Sequence, residues 1–133
     1  MLRVFALFLV TTMALGAQTP ADTTYYAVAY IEITPASRGE AVAAFKQYRA
    51  ASGKDDGFVR LELFEQVGRP GHFTIIETWT NQKAFETHAA GPHSKDWRGK
   101  IDQIRLSDYD QRPYKNLSLG SATPSNDGAT YVI

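Results

Sequence analysis

Phe73-Thr-Ile-Ile-Glu-Thr-Trp-Thr-Asn-Gln-Lys-Ala-Phe-Glu-Thr-His-Ala-Ala-Gly-Pro-His-Ser-Lys-Asp-Trp97 is the stretch on which the fold turns. Its first part, FTIIETWT, is rich in β-branched and aromatic residues with no breaker, the composition of a strand. Asn81 follows with a side chain suited to capping a helix, and QKAFETHAA has helical character. Gly91-Pro92 stops that helix, and His93 opens a second helical run toward Trp97 and Ile101. Two of the three histidines and both tryptophans fall within this stretch, so any chemical site is expected here.

Upstream, Thr24–Thr34 alternates two faces. Tyr25, Ala27, Ala29, Ile31 and Ile33 form a core face, and Tyr26, Val28, Tyr30, Glu32 and Thr34 the other. The second face is too aromatic to be simply solvated and is expected to meet another surface. Pro35 ends the strand, and Ser37 with Glu40 has the spacing of a capping box. Ala41, Ala44, Phe45, Tyr48 and Ser52 then recur at helical spacing, with Gly53 expected as the C′ residue. Gly57–Gln66 is a second alternating strand, with Val59, Leu61 and Leu63 on one face and Phe58, Arg60, Glu62 and Phe64 on the other. VGRPGH is a turn centred on Pro70-Gly71 that joins it to Phe73–Thr80 as an antiparallel hairpin. A last strand is expected within Gln103–Leu117, where Pro113 forces it to a sheet edge.

The order strand, helix, strand, strand, helix, strand defines an α+β domain of ferredoxin-like plan: a split β-α-β with a four-stranded antiparallel sheet and helices on one side. The domain is expected to span residues 23–118. Residues 119–133 are small and polar and are expected to form a flexible tail. Met1–Ala17 has the form of a signal peptide: Arg3 at the start, an apolar run from Val4 to Leu15, then small residues. The run is shorter than the ~20 residues that span a bilayer. Export to the periplasm or beyond is therefore expected, with no stable membrane anchor after cleavage.

Removing that segment takes away one of 14 basic residues and none of 14 acidic ones, leaving a net charge of −1. Such a balance supplies no electrostatic drive toward nucleic acid. The absence of cysteine excludes disulfides, thiol nucleophiles and thiolate metal sites. His88 lies three residues after Phe85, on the same side of a short helix. The five-residue step to His93 does not place both imidazoles on one helical face, and no carboxylate is seen to complete a metal set, so no metal is expected. No phosphate-binding glycine loop, serine nucleophile motif or dinucleotide fingerprint is present.

Ile76-Glu77-Thr78-Trp79, Phe85, His88, Pro92-His93 and Trp97 together resemble the signature of the antibiotic biosynthesis monooxygenase domain, nearest to its quinol monooxygenase-like members. The resemblance runs from about Tyr25 to Leu117. It implies a dimeric α/β barrel in which two ferredoxin-like sheets face each other, with a pocket between sheet and helices in each protomer. It implies oxidation of a quinol, phenol or polycyclic aromatic with O2 and without a cofactor. Other members of the superfamily degrade haem or isomerise small molecules, and a non-catalytic binding barrel or an isomerase of a small carbonyl compound is the alternative. On this resemblance His88 is the candidate catalytic base and Trp79 an aromatic wall against the substrate. Tyr48, Phe64 and Trp97 are further candidate walls, and His93 would orient a substrate oxygen.

Overall fold

The computed structural model describes residues 23–117. The expected signal peptide, the tail at 119–133 and the end of the expected domain at Ser118 lie outside the described residues. The elements are β1 (Tyr25–Glu32), α1 (Arg38–Ser52), β2 (Phe58–Glu65), β3 (His72–Trp79), α2 (Gln82–Ala89), α3 (Pro92–Ile104) and β4 (Asp110–Tyr114). The strands form one antiparallel sheet in the order β2-β3-β1-β4, the ferredoxin-like arrangement. No helix among the described residues is long and apolar enough to cross a membrane.

The alternation of β1 decides how the layers meet. Ala27, Ala29, Ile31 and Ile33 are buried against the helices, while Tyr30 on the opposite face is 43% exposed. In α1 the buried residues are Ala41, Ala44, Phe45, Tyr48 and Ser52, the stripe that helical spacing demands. The first four share one core with Leu61, Phe73, Ile75, Trp97 and Ile101. Burying side chains such as Phe45 or Ile101 contributes about 1.5–3 kcal/mol each, so this stripe is what fastens α1 and α3 to the sheet.

Four local expectations are corrected. A short 3-10 turn, Pro35–Ser37, precedes α1, and Ser37 makes no side-chain cap, so the capping box does not form. Gly53 has a helical φ of −62° and is the C-cap itself rather than a left-handed C′ residue. In β2 the register shifts between Phe58 and Arg60: Phe58 pairs with Trp79 and Arg60 with Thr78. This bulge turns Phe58 inward, edge-on to Trp79 at 5.4 Å, and leaves Val59 exposed. One extra residue inverts the face of everything before it, which a strict period of two cannot foresee. Finally, α3 runs on through Ile104, and the last strand is shortened to Asp110–Tyr114; Pro113 lies, as expected, on the edge strand.

The β2–β3 hairpin is tied by a carboxylate. Gly71, with φ 88°, follows Pro70 at the third position of a turn closed by the His72 N–H donating to the Arg69 carbonyl. A Cβ at Gly71 would overlap the Ile33 carbonyl oxygen, so the chain needs glycine there. Glu65 accepts from the Gly71 N–H at 2.9 Å and from the Arg38 guanidinium at 2.7 and 2.6 Å. The Arg38 hydrogen bonds, then the Gly71 N–H, hold its pKa down at about 2 from 4.5. A depressed folded-state pKa stabilises above the unfolded value and is lost as pH falls toward the folded one. The stability advantage of the wild type over Glu65→Gln, measured by urea unfolding, is therefore expected to be constant above pH 5 and to vanish between about pH 4.5 and 2. An advantage unchanged at pH 2.5 would contradict the assignment.

Candidate active site

Four elements converge on one buried polar cluster. Strand β3 directs Phe73, Ile75, Glu77 and Trp79 to the helical side, so a carboxylate stands in an otherwise apolar inward row. Tyr48 comes from α1, His88 from the last turn of α2, and His93, Ser94 and Trp97 from the start of α3. Asn81 caps α2 by accepting from the Ala84 N–H at 2.9 Å, as its sequence position demands. The α2–α3 corner is fixed by the His88 carbonyl, which accepts from the Gly91 N–H at 2.9 Å and the Ser94 hydroxyl at 2.7 Å. Gly57, with φ 81°, passes so close to Ala84 that a Cβ would come within 2.5 Å of its methyl. That approach brings the preceding loop, and Asp55 with it, against α2.

The hydrogen bonds form a chain. The Tyr48 hydroxyl donates to Glu77 Oε1 at 3.1 Å and lies 2.6 Å from His88 Nε2. Trp79 Nε1–H donates to Glu77 Oε2 at 3.3 Å. On the far side of the imidazole, His88 Nδ1 lies 2.7 Å from Asp55 Oδ2. His93 Nε2 lies 3.0 Å from that same oxygen. Burial pushes the Glu77 carboxyl up to about 7 from 4.5, with the Tyr48 and Trp79 hydrogen bonds opposing it. Burial also lowers the His88 pKa, against Asp55, which favours the imidazolium. The Tyr48 phenol is driven well above its usual range, first by burial and then by Glu77, so it stays protonated.

Two hollows flank the cluster. A cavity of about 300 Å³ is lined by Tyr48, Phe85, Ser94, Trp97, Arg98 and Tyr109, among others. Tyr48 and Trp97, which both line it, are layered face to face, with centroids 4.1 Å apart and planes at 10°. The Arg98 guanidinium sits 3.2 Å over the Tyr109 ring at the other side. An outer groove of about 520 Å³ is lined by Asp55, Asp56, His88, Pro92 and His93.

The six expected site residues divide accordingly. Tyr48 and Trp97 line the cavity. His88 lies behind Tyr48 and opens only toward the outer groove. Trp79 is fully buried, its ring 4.4 Å from His88, and backs the imidazole rather than a substrate. His93 lies in the outer groove. Phe64 is not brought to the cluster: it is 51% exposed on the opposite face of the sheet. Three residues absent from the expected set belong to it: Glu77, Asp55 and Ser94. The signal for Glu77 was available, since an acid at an inward position of an alternating strand needs a partner. Asp55 also corrects the expectation that no carboxylate accompanies the two histidines: its Oδ2, His88 Nδ1 and His93 Nε2 lie within 4.8 Å of one another.

Comparison with known proteins agrees with this architecture. Residues 24–100 match the family model described as antibiotic biosynthesis monooxygenase. The chain belongs to that family. A Bacillus subtilis (strain 168) family relative, named "Putative monooxygenase YcnE", is 28% identical over 82 residues, covering 62% of this chain and 86% of its own. The family fold is shared with a conserved protein from Methanosarcina mazei Go1, with TM-score 0.69 and 16% identity over 72% of this chain and 95% of the other. It is shared also with SnoaB of Streptomyces nogalater, a cofactor-independent oxygenase, with TM-score 0.65 and 19% identity over 74% and 99% of the two chains.

A buried acid with a raised pKa destabilises the fold as it ionises. The contribution of Glu77 is therefore greatest below pH 4.5 and falls as pH rises to about 7. Subtracting the stability–pH curve of Glu77→Gln from that of the wild type is expected to leave a decline on the order of 3 kcal/mol across that window. A flat difference curve would show that the carboxylate is not held in the environment described.

Proposed function

We propose that this protein is a cofactor-independent monooxygenase that oxidises a quinol, phenol or polycyclic aromatic with O2. The observation that carries the reading is the cavity itself, lined by the stacked Tyr48–Trp97 pair, with the Tyr48 hydroxyl bonded to the buried Glu77 carboxylate. Membership of a family with monooxygenase-named relatives supports the reaction class.

A protonated phenol is a poor electron donor to O2, and its anion a good one. The substrate ring packs in the cavity beside the stacked Tyr48–Trp97 pair with its hydroxyl at the Tyr48–Ser94 end. Its proton passes to the Tyr48 oxygen as the Tyr48 proton passes to Glu77 Oε1, so the Tyr48 side chain stays neutral, Glu77 becomes the neutral acid and the substrate becomes the anion. His88, 2.6 Å from Tyr48 through Nε2, holds the hydroxyl in line. It is thus a positioning residue, and Trp79 supports it from behind. The substrate anion gives one electron to O2, and the two radicals join at a ring carbon as a peroxide anion, which takes the proton back from Glu77 through Tyr48 to become a hydroperoxide. Loss of water leaves one oxygen atom in a quinone product and the other in H2O, with the substrate supplying all the electrons.

Proton transfer by a positioned group is worth ~10²–10⁴-fold, so Tyr48→Phe and His88→Ala are each expected to lower kcat at least ~10-fold while the fold persists. The assay is oxygen uptake with a panel of hydroquinones and phenols, with ¹⁸O2 label recovered in the product. Ligand-dependent stabilisation without oxygen uptake would mark a binding barrel, anaerobic conversion an isomerase, and either would overturn the reading.

The same reading includes a homodimer. Tyr30 and Phe64 flank Thr74 in adjacent strands on the open face of the sheet, with Tyr114 further along, and all three aromatic rings are 43–51% exposed. A second copy laid sheet against sheet would cover them, as obligate interfaces cover aromatic surface. Light scattering is expected to give twice the chain mass for the wild type and the single mass for Phe64→Glu; a wild-type monomer at micromolar concentration would contradict it.

A further inference from the structure

Asp55 Oδ2, His88 Nδ1 and His93 Nε2 form a triangle with edges of 2.7, 3.0 and 3.2 Å. Around a divalent transition metal with bonds of ~2.1 Å, ligand atoms at right angles stand ~3.0 Å apart. We propose that these three atoms, on the outer-groove side of the fold, bind one divalent first-row transition-metal ion. The site goes beyond the proposed oxygenase activity and does not rest on it.

Three further features fit this donor set. Two imidazoles and one carboxylate are the ligands preferred by zinc and its neighbours, in the three-ligand form that leaves positions open. The open side faces the groove lined by Asp56, Gly91 and Pro92, which supplies an entry path. The ligand-bearing elements are also braced. Ser94 and Gly91 fix the α2–α3 corner that carries both histidines, and Asp55 is tied at both ends, its N–H to the Ser52 carbonyl and its carbonyl to the Phe58 N–H.

With Glu77 ionised, the placement of protons is compatible with this geometry. Tyr48 has a single hydroxyl hydrogen, and it is donated to Glu77. The 2.6 Å contact to His88 then requires Nε2 to carry the hydrogen and donate it to the Tyr48 oxygen. In a neutral imidazole that leaves Nδ1 with a bare lone pair, 2.7 Å from a carboxylate oxygen. A second proton there would make a buried imidazolium; a metal ion satisfies Nδ1, Asp55 and His93 together. Tyr48 and Glu77 then become the outer hydrogen-bond partners that hold a ligating histidine in its tautomer. The ion does not line the Tyr48–Trp97 cavity, because the two hollows share no lining residue. It secures His88, and through it the Tyr48 hydroxyl. The competing arrangement puts one proton on Glu77 and another on Nδ1, with Asp55 accepting from both histidines, and binds no metal.

The test uses the untagged full chain, stripped with a chelator and titrated with Co²⁺ and then Zn²⁺. Expected are one Co²⁺ per chain with visible d–d bands, their loss on displacement by Zn²⁺, and a rise in Tm with Zn²⁺. Asp55→Asn and His93→Gln are expected to weaken binding at least tenfold while keeping the far-UV CD spectrum. His72→Ala, which removes the histidine beside Glu32 on the other side of the molecule, should leave binding unchanged. With Zn²⁺ bound, ¹⁵N NMR should show His88 protonated at Nε2 alone. Failure of the wild type to bind, binding undiminished in Asp55→Asn and His93→Gln, or a His88 carrying its proton on Nδ1 in the presence of Zn²⁺ would each overturn the proposal. None of these readouts depends on oxygenase activity.

Discussion

The constraint on which the site depends is the burial of Glu77. A carboxylate in the inward row of β3 cannot be left without partners, since an unpaired buried charge costs several kcal/mol. One donor comes from a distant part of the chain, the Tyr48 hydroxyl of α1, and the other from its own strand, the Trp79 indole. Each donor is fixed in turn by ring contacts, Tyr48 stacked on Trp97, and Trp79 edge-on to Phe58 and tilted against His88. A polar pair thereby dictates where four aromatic rings must sit. The cavity lies along one flank of that arrangement and the histidine cluster along the other.

The ferredoxin-like frame makes the convergence possible. Because β3 pairs between β1 and β2, its inward residues face the helices and are shielded on both sides. The short α2 and the sharp Gly91-Pro92 corner bring His93 and Ser94 within hydrogen-bond reach of His88, though a single continuous helix would have spread them round its axis. The corner is therefore a functional element, and its three hydrogen-bonding groups come from the residues that stop one helix and start the next.

Much of this was legible in the residues, for physical reasons that differ by element. The stripe from Ala41 to Ser52 and the alternation of β1 are periodic signals, and both carried through to the buried faces. Asn81 and Gly91-Pro92 act locally, so their effects did not depend on the tertiary fold. The bulge at Val59 was not legible, because an extra residue is a response to what Trp79 and Phe58 pack against. The site was half legible. The family resemblance points to His88, Tyr48, Trp97 and Phe64 together, but the sheet places the Phe64 ring on the other face. Asp55 was invisible among the neighbouring Lys54, Asp56 and Gly57, since only the close pass of Gly57 over Ala84 brings its carboxylate to the histidines. Two imidazoles separated by five residues do not look like a ligand pair until the helix break between them is seen in three dimensions.

The central claim is that an aromatic substrate enters the Tyr48–Trp97 cavity and presents its hydroxyl to Tyr48. The most direct measurement is an anaerobic crystal structure with a bound phenol that O2 cannot oxidise. The predicted result is a ring in that cavity, packed beside the stacked Tyr48–Trp97 pair, with its oxygen at hydrogen-bond distance, ~2.5–3.0 Å, from the Tyr48 or Ser94 hydroxyl. A ligand found instead in the outer groove, or on the open face of the sheet beside Tyr30 and Phe64, would contradict the account.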